Sequence, residues 1–439
     1  MVTAELFTTL RKEVARLKPV YDLGYVTEIN ANALVVAGLS KVARQGDEVS
    51  FSAEHGQNHH GEITRLSTDT VTIMPYGSLD GVAIGTPVKL LGAPLLAPDN
   101  SWIGHVLDPF GVPMDGSTIT TGPLSKSVHA PAPPAHARQI MGERLQTGVG
   151  VMDTFLPLAK GQRIGLFAGS GVGKSTLLGR LAKRVPADVT VIALIGERGR
   201  ELQEFIQKAL GPEGMERSII VAATSDMAPN LRRRAAWTAM TIAEHFRDQG
   251  AHVLFLADSL TRFAEAYREV AVSAGEEANM RGFPPSLTHA LAALSERAGP
   301  GTKGQGMITA VMSVLVAGSD MEEPVADILR GLLDGHILLN REIAERGRYP
   351  AIDVLRSVSR CLPDAATEPE NAMLSQARRL IGAYDRAEMM VQSGLYERGN
   401  DPQLDQAIAA LPRLEAFFGD GRHLSIEQSF EALAACLPD

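Results

Sequence analysis

At 439 residues the chain is too long for one ordinary domain, and its length predicts about two to four folded units. A hydrophobic content of 45% with 21% charged residues is that of a globular protein, and no apolar run approaches the roughly 20 residues that a membrane-spanning helix needs. The formal net charge is −9, with thirteen acidic against six basic side chains after residue 360, which argues against general nucleic-acid binding.

The first residues, MVTAELFTTLRKEVARLK, lack the uninterrupted apolar core and small-residue cleavage site of a secretory signal, so a cytoplasmic protein is expected. Within residues 1–18, Leu6, Leu10, Val14 and Leu17 form an apolar stripe at helical spacing, flanked by Arg11, Lys12, Arg16 and Lys18. The pattern predicts an amphipathic helix that either packs on its own protein or docks on a partner or membrane surface. From 19 to 92, short alternating runs (GYVTEI, ALVVAG, DEVSFS, GEITRL, TVTIMPY and TPVKLLG) are broken by Gly, Asp and Asn about every eight to twelve residues. That cadence predicts a small β-barrel. A Gly/Pro-rich stretch follows, from GAPLLAPDN to the PAPP at 131–134, and reads as an irregular connection with a loose hairpin.

Past residue 140 apolar runs alternate with helical patterns: QRIGLFAG then TLLGRLAKR, VTVIALIG then ELQEFIQKAL, SIIVAAT then a helix near 230–248, HVLFLAD then a helix through YREV, and finally MITAVMSVLV. Such alternation predicts a parallel, helix-covered sheet, which with its irregular lead-in occupies 93–360. Arg232 to Arg234, the sole basic triplet, reads as a solvated helix face. In 361–439 the apolar positions lie three and four apart and predict a helical bundle. Cys361 and Cys436 have no CxxC spacing and read as small buried hydrophobes, not as a disulfide framework or zinc site.

The densest chemistry lies in RIGLFAGSGVGKSTLLGRL, where an apolar strand enters a glycine-rich turn that opens a helix. Gly169, Gly171 and Gly173, with Ser170 and Val172 between them, let successive N–H groups converge on phosphate oxygens. Lys174 supplies charge, and Ser175, followed by Thr176, offers a hydroxyl to Mg²⁺ at a helix N-terminus. Ala168 replaces the first glycine of the strict phosphate-loop pattern. HVLFLADSLTRF is a buried strand ending in Asp258, which is either a carboxylate beside the metal or a helix N-cap. Glu197 follows VTVIALIG and so lies on the same carboxyl edge as the phosphate loop and Asp258. It either orients a water for in-line attack on a γ-phosphate or, with Glu201, complements a helix N-terminus. Further on, HILLNREIAERGRYPAIDVLRSVSR leads to Ser357, Ser359 and Arg360, the last a cation for a phosphate of its own chain or a neighbour's. Tyr349 is the best-placed aromatic for stacking on a base, with structural packing as the other reading.

AGSGVGKST, IGERGRE, DSLTRFAEAYREV, EPVADILRGLLDGHILL and PAIDVLRSVS together resemble the catalytic subunits of the rotary ATP synthase family. The closer likeness is to the hexameric ATPases of type III protein export, with the flagellar branch favoured over the virulence branch on overall similarity. The resemblance covers about residues 20–439 and implies an α/β P-loop (RecA-like) ATPase core with an N-terminal β-barrel and a C-terminal helical domain. It also implies Mg²⁺-dependent hydrolysis of ATP that energises export, and a homohexamer in the cytoplasm, peripheral to an inner-membrane export gate. Implied partners are stator and central-stalk proteins, export chaperones and unfolded export substrates, with no nucleic acid. By this resemblance Lys174 and Ser175 hold phosphate and Mg²⁺, Asp258 lies beside the metal, and Glu197 activates the attacking water. Arg198 and Arg262 then line the site, Tyr349 stacks on adenine, and Arg360 reaches the neighbouring subunit's nucleotide. Residues 271–286, AVSAGEEANMRGFPPS, depart from the GEPP-containing stretch usual in export ATPases, which leaves the stalk and substrate contacts of that loop open.

Three alternatives compete. The catalytic subunit of a rotary synthase is disfavoured by the export-like GERGRE and DGHILL stretches. A ring-shaped RNA translocase would need a basic, aromatic barrel, and this one has Phe51 and Tyr76 but no such cluster. A non-catalytic nucleotide-binding subunit would lack the acid found at Glu197.

Overall fold

The computed structural model of the chain describes residues 20–438 apart from 31, 53–57, 280, 317–320 and 423, so the helix expected over 1–18 lies outside the described residues. The described chain divides into two compact units, one comprising the strands before Pro94 together with Val270–Glu276, and a larger one of Leu95–Glu269 and the residues from Glu277 on.

In the smaller unit, β1 (Leu23–Asn30), β2 (Ala33–Ala37), β3 (Glu48–Ser52), β4 (Asn58–Leu66), β5 (Thr70–Pro75) and β6 (Pro87–Gly92) coincide with the six alternating runs of the sequence. They form a closed barrel in the order β1-β2-β5-β4-β3-β6, with β6 returning to pair with β1. Alternation sends Leu34 and Val36 of β2, Val49 and Phe51 of β3, and Val71 and Ile73 of β5 into the interior, where all are buried. Each such side chain favours the fold by roughly 1.5–3 kcal/mol relative to exposure.

The larger unit is built on a sheet containing β7 (Val106–Leu107), β8 (Arg163–Ala168), β9 (Val189–Glu197), β10 (Ser218–Thr224), β11 (His252–Asp258), β12 (Met307–Leu315), β13 (Gly335–Leu339) and β14 (Val358–Ser359). Their order is β14-β13-β8-β12-β11-β9-β10-β7, and all neighbours are parallel except β13 and β14. Strands covered on both faces read as unbroken apolar runs, which is why VTVIALIG shows no alternation. Ile192 and Leu194 of β9 enter the core on one face, and Val191, Ala193 and Ile195 enter the core on the other.

On the first face lie α1 (Gly150–Phe155) and α2 (Lys174–Arg184), joined by the C-terminal helices α9 (Glu368–Gln392), α10 (Pro402–Phe418) and α11 (Ile426–Ala434). α9 and α11 each open on a capping box, Thr367 with Glu370 and Ser425 with Gln428. On the second face lie α4 (Pro229–Asp248), α5 (Leu260–Ser273), α6 (Ser286–Arg297) and α7 (Pro324–Leu332). Short helices α3 (Gly199–Glu204) and α8 (Arg341–Glu345) follow β9 and β13, and α3 runs on through a wider-turned stretch, Phe205–Leu210, into a further short helix at Gly211–Met215.

Three features depart from the sequence reading. The lead-in is not merely irregular, since it supplies β7, the strand beside β10. Helices α6 and α7 stand where no helix is expected. The basic triplet on α4 is not a solvated face. Arg234 is buried, donates from Nε to the Pro109 carbonyl at 3.0 Å and lies over the Phe110 ring, while Arg232 pairs with Glu269 at 3.1 Å. A guanidinium that caps a loop carbonyl and covers a ring is doing structural work that no charge count reveals. Both cysteines are buried, as expected.

Candidate active site

The loop after β8 and the start of α2 form the floor of the site. Gly171 and Gly173 have φ of +78° and +89°, a left-handed backbone that glycine adopts without strain. Ala168 is buried inside β8 and hydrogen-bonded there, so a side chain at that position obstructs nothing. Gly173 is the N-cap of α2 and offers no side-chain acceptor, so the first-turn N–H groups around Lys174, Ser175 and Thr176 face the loop uncapped. Uncapped N–H groups, helix dipole and lysine together suit an anion.

The neighbouring strand ends bring the carboxylates to this floor. β11 lies one strand beyond β12, which flanks β8, and β9 follows, with Leu194 in register with Asp258. The Lys174 ammonium donates to Asp258 and stands 3.8 Å from Glu197 Oε1. Ser313, on β12, donates from Oγ to Asp258 Oδ1 at 2.7 Å. The sequence reading missed Ser313, whose signal is a hydroxyl in an otherwise apolar parallel strand. Glu197 is aimed by a bulge: the register of β9 against β10 shifts between Ile195 and Glu197, where Gly196 has φ of +68°. A methyl group at Gly196 would lie 3.2 Å from Arg262 Cβ, which puts Arg262 beside this turn.

Burial raises the Glu197 carboxyl to about 8, helped by the neighbouring Glu201 carboxyl and the Asp258 charge and opposed by the Lys174 ammonium. Arg262 reaches Glu265 at 2.8 Å. Tyr349 leans on the loop, since a methyl group at Gly173 would meet its Cδ1 at 3.3 Å, and the residue is 50% exposed. Two predicted residues stand apart. The Arg198 side chain is 81% exposed and touches only the rim carboxylate of Glu201, at 3.7 Å. Arg360 follows β14, which pairs antiparallel with β13, and its N–H bonds to Asp334 O at the amino end of the parallel strands. The phosphate loop lies at the other end of β8, a strand length of roughly 16 Å away.

Residues that fit Mg²⁺ are at hand in Ser175 and Asp258. Among the described residues no group of three or more His, Cys, Asp or Glu forms a cage for a metal.

The parallel sheet, the phosphate loop and the acids at the adjacent strand ends define a phosphate-loop ATP hydrolase, preceded by a β-barrel and followed by helices. Residues 22–92 match the ATP synthase alpha/beta family, beta-barrel domain; 148–359 match the nucleotide-binding domain of that family; and 366–435 match the T3SS EscN ATPase C-terminal domain. The chain is 41% identical over 435 residues to a flagellum-specific ATP synthase of Caulobacter vibrioides, covering 97% of this chain and 98% of that one. It is 41% identical to a type 3 secretion system ATPase of Xanthomonas euvesicatoria, covering 94% of this chain and 93% of the relative. The assembled ATPase EscN of the enteropathogenic E. coli type III secretion system superposes with a TM-score of 0.88 at 36% identity, covering 94% of this chain and all of that one. The chain belongs to the ATP synthase alpha/beta family, within its branch of flagellar and type III secretion ATPases.

Proposed function

We propose that the cluster of Lys174, Glu197 and Asp258 hydrolyses MgATP and that this chain is the ATPase of a flagellar-type protein export apparatus. The observation that carries the reading is the meeting of one lysine and two carboxylates at the ends of β8, β9 and β11. Gly169 to Gly173 and the first turn of α2 bind the phosphates, and Ser175 and Asp258 hold Mg²⁺, which supplies charge neutralisation at the γ-phosphate when bound. Glu197, unprotonated, orients the attacking water and accepts its proton. Arg262 flanks that carboxylate, Arg198 serves from the exposed rim of the site, and Tyr349 stacks on the adenine. Arg360, too far from its own phosphate loop, serves the nucleotide of the next copy, so the working form is a homohexamer with composite sites.

The flagellar assignment is supported by relatives named flagellum-specific ATP synthases at 41% to 44% identity. A central stalk in the ring is supported by the likeness, at TM-score 0.85, to EscN in complex with its central stalk EscO. Handling of chaperones and unfolded substrates, and peripheral attachment at the inner membrane, complete the proposal; among the described residues no helix is long and apolar enough to cross a membrane. The deciding experiment is Glu197→Gln with ATP binding and turnover measured separately. Turnover should fall by about 10²–10⁴-fold with ATP affinity retained, and equal loss of both would refute the catalytic role.

A further inference from the structure

The residue before Tyr349 is an arginine that faces inward. Arg348 is mostly buried, with its side chain only 11% exposed, and its contacts run in two directions. Nη2 donates at 3.0 Å to the carbonyl of Ile352, so the guanidinium bridges the short loop that carries Tyr349. Nε stands 3.2 Å from Glu415 Oε2 on α10, an ion pair without hydrogen-bond alignment, and the guanidinium lies 5.1 Å from the ring centre of Phe418, the last residue of that helix. Phe418 itself packs edge-on against Phe155 of α1. One side chain therefore brackets Tyr349 and pins the bracket to α10. A half-exposed ring stacks well on a ligand only if its backbone is fixed before the ligand arrives, because ordering it afterwards subtracts from affinity.

We infer that Arg348 is a positioning residue for the nucleotide base, holding Tyr349 against the phosphate loop by tying its loop to α10. The inference rests on the reading of Tyr349 as the base-stacking residue. It makes base affinity, and not phosphate affinity, depend on a contact with the C-terminal helices.

The test compares Arg348→Met, Tyr349→Ala and the double variant for kcat and KM with MgATP, and for inhibition by tripolyphosphate, which has no base. Arg348→Met keeps a stem over Phe418 and removes the donors. It should raise KM about tenfold, the effect of losing one charge-assisted hydrogen bond, with kcat within about twofold and tripolyphosphate inhibition unchanged. In the Tyr349→Ala background it should add nothing. Glu415→Gln, at a partly exposed position, should raise KM in the same direction by about twofold, so the idea stays testable if Arg348→Met folds poorly. Equal weakening of ATP and tripolyphosphate, or additive effects in the double variant, would overturn it. A KM that Tyr349→Ala leaves unchanged removes the base-stacking reading and this inference together. A KM raised by Tyr349→Ala but not by Arg348→Met removes only the inference.

Discussion

Ser313 donates its hydroxyl to Asp258 Oδ1, the same carboxylate oxygen that receives the Lys174 ammonium. If Lys174 turns to a bound phosphate, as proposed, Ser313 still holds the carboxylate. Ser313→Ala should raise the Mg²⁺ concentration for half-maximal ATPase about tenfold, since a hydrogen bond to a charged group is worth about 1.5 kcal/mol or more. A Mg²⁺ titration at fixed ATP reads this directly, and an unchanged midpoint removes Ser313 from the site.

Glu197 gives the nucleotide-free protein a pH signature. Its folded-state carboxyl stands at about 8, above the ordinary 4.5, so the folded chain holds that proton more tightly than the unfolded chain. The stabilisation is fully present below 4.5 and is lost as pH rises through about 8. Glu197→Gln escapes that loss. Its melting temperature should exceed the wild type's at pH 9 by a few degrees, at roughly 2–4 °C per kcal/mol, and converge with it near pH 5. In the same way kcat/KM should climb toward pH 8, as the free enzyme's base loses its proton.

Arg360 and Glu197 belong to different sites if Arg360 serves the next copy. Two inactive variants, Glu197→Gln and Arg360→Ala, should then recover activity when mixed, because an interface can pair an intact Glu197 with an intact Arg360. Activity measured against mixing ratio should peak near equal amounts. A flat line at the level of the parents would put both residues in one chain's site.

Arg297 is fully buried and grips Glu244 through Nε at 3.0 Å and Nη2 at 2.6 Å, while Nη1 holds the Val128 carbonyl at 2.7 Å. Arg297→Met leaves the buried Glu244 carboxylate with only the longer ion pair to Arg247 at 3.8 Å and should cost about 3–5 kcal/mol. Adding Glu244→Leu should return much of that stability, which thermal scanning of the single and double variants will show.

What the sequence made legible is local. The barrel follows from six period-two runs, and the site follows from residues that end apolar strands, where topology alone brings Lys174, Glu197 and Asp258 to one edge. What it hid depends on distant partners. Arg234 and Arg348 look solvated as letters and become buried only because Pro109, Phe110, Glu415 and Phe418 fold onto them. Ser313 is one hydroxyl in a hydrophobic strand, and its value depends on which acid lies alongside. Gly196 reads as a strand terminus, whereas it is the bulge that aims Glu197. Helix α6 did carry a signal, Pro284 and Pro285 just before Ser286, a proline-rich start that suits a first helical turn.

Both margins of the large sheet end in short strands, β14 and β7. β14 is two residues long, and the rest of β13 is satisfied by Ser357 on the Leu338 amide, Asp353 on the Leu338 carbonyl and a bridge from Leu339 to Ile352. At the other margin the two-residue β7 pairs with Ile220 and Val221, and Ala222 and Ala223 beyond it are buried. Edge strands this short offer little backbone for a strand from another polypeptide to pair with. The fold thus limits β-pairing with a second polypeptide at either end of the sheet.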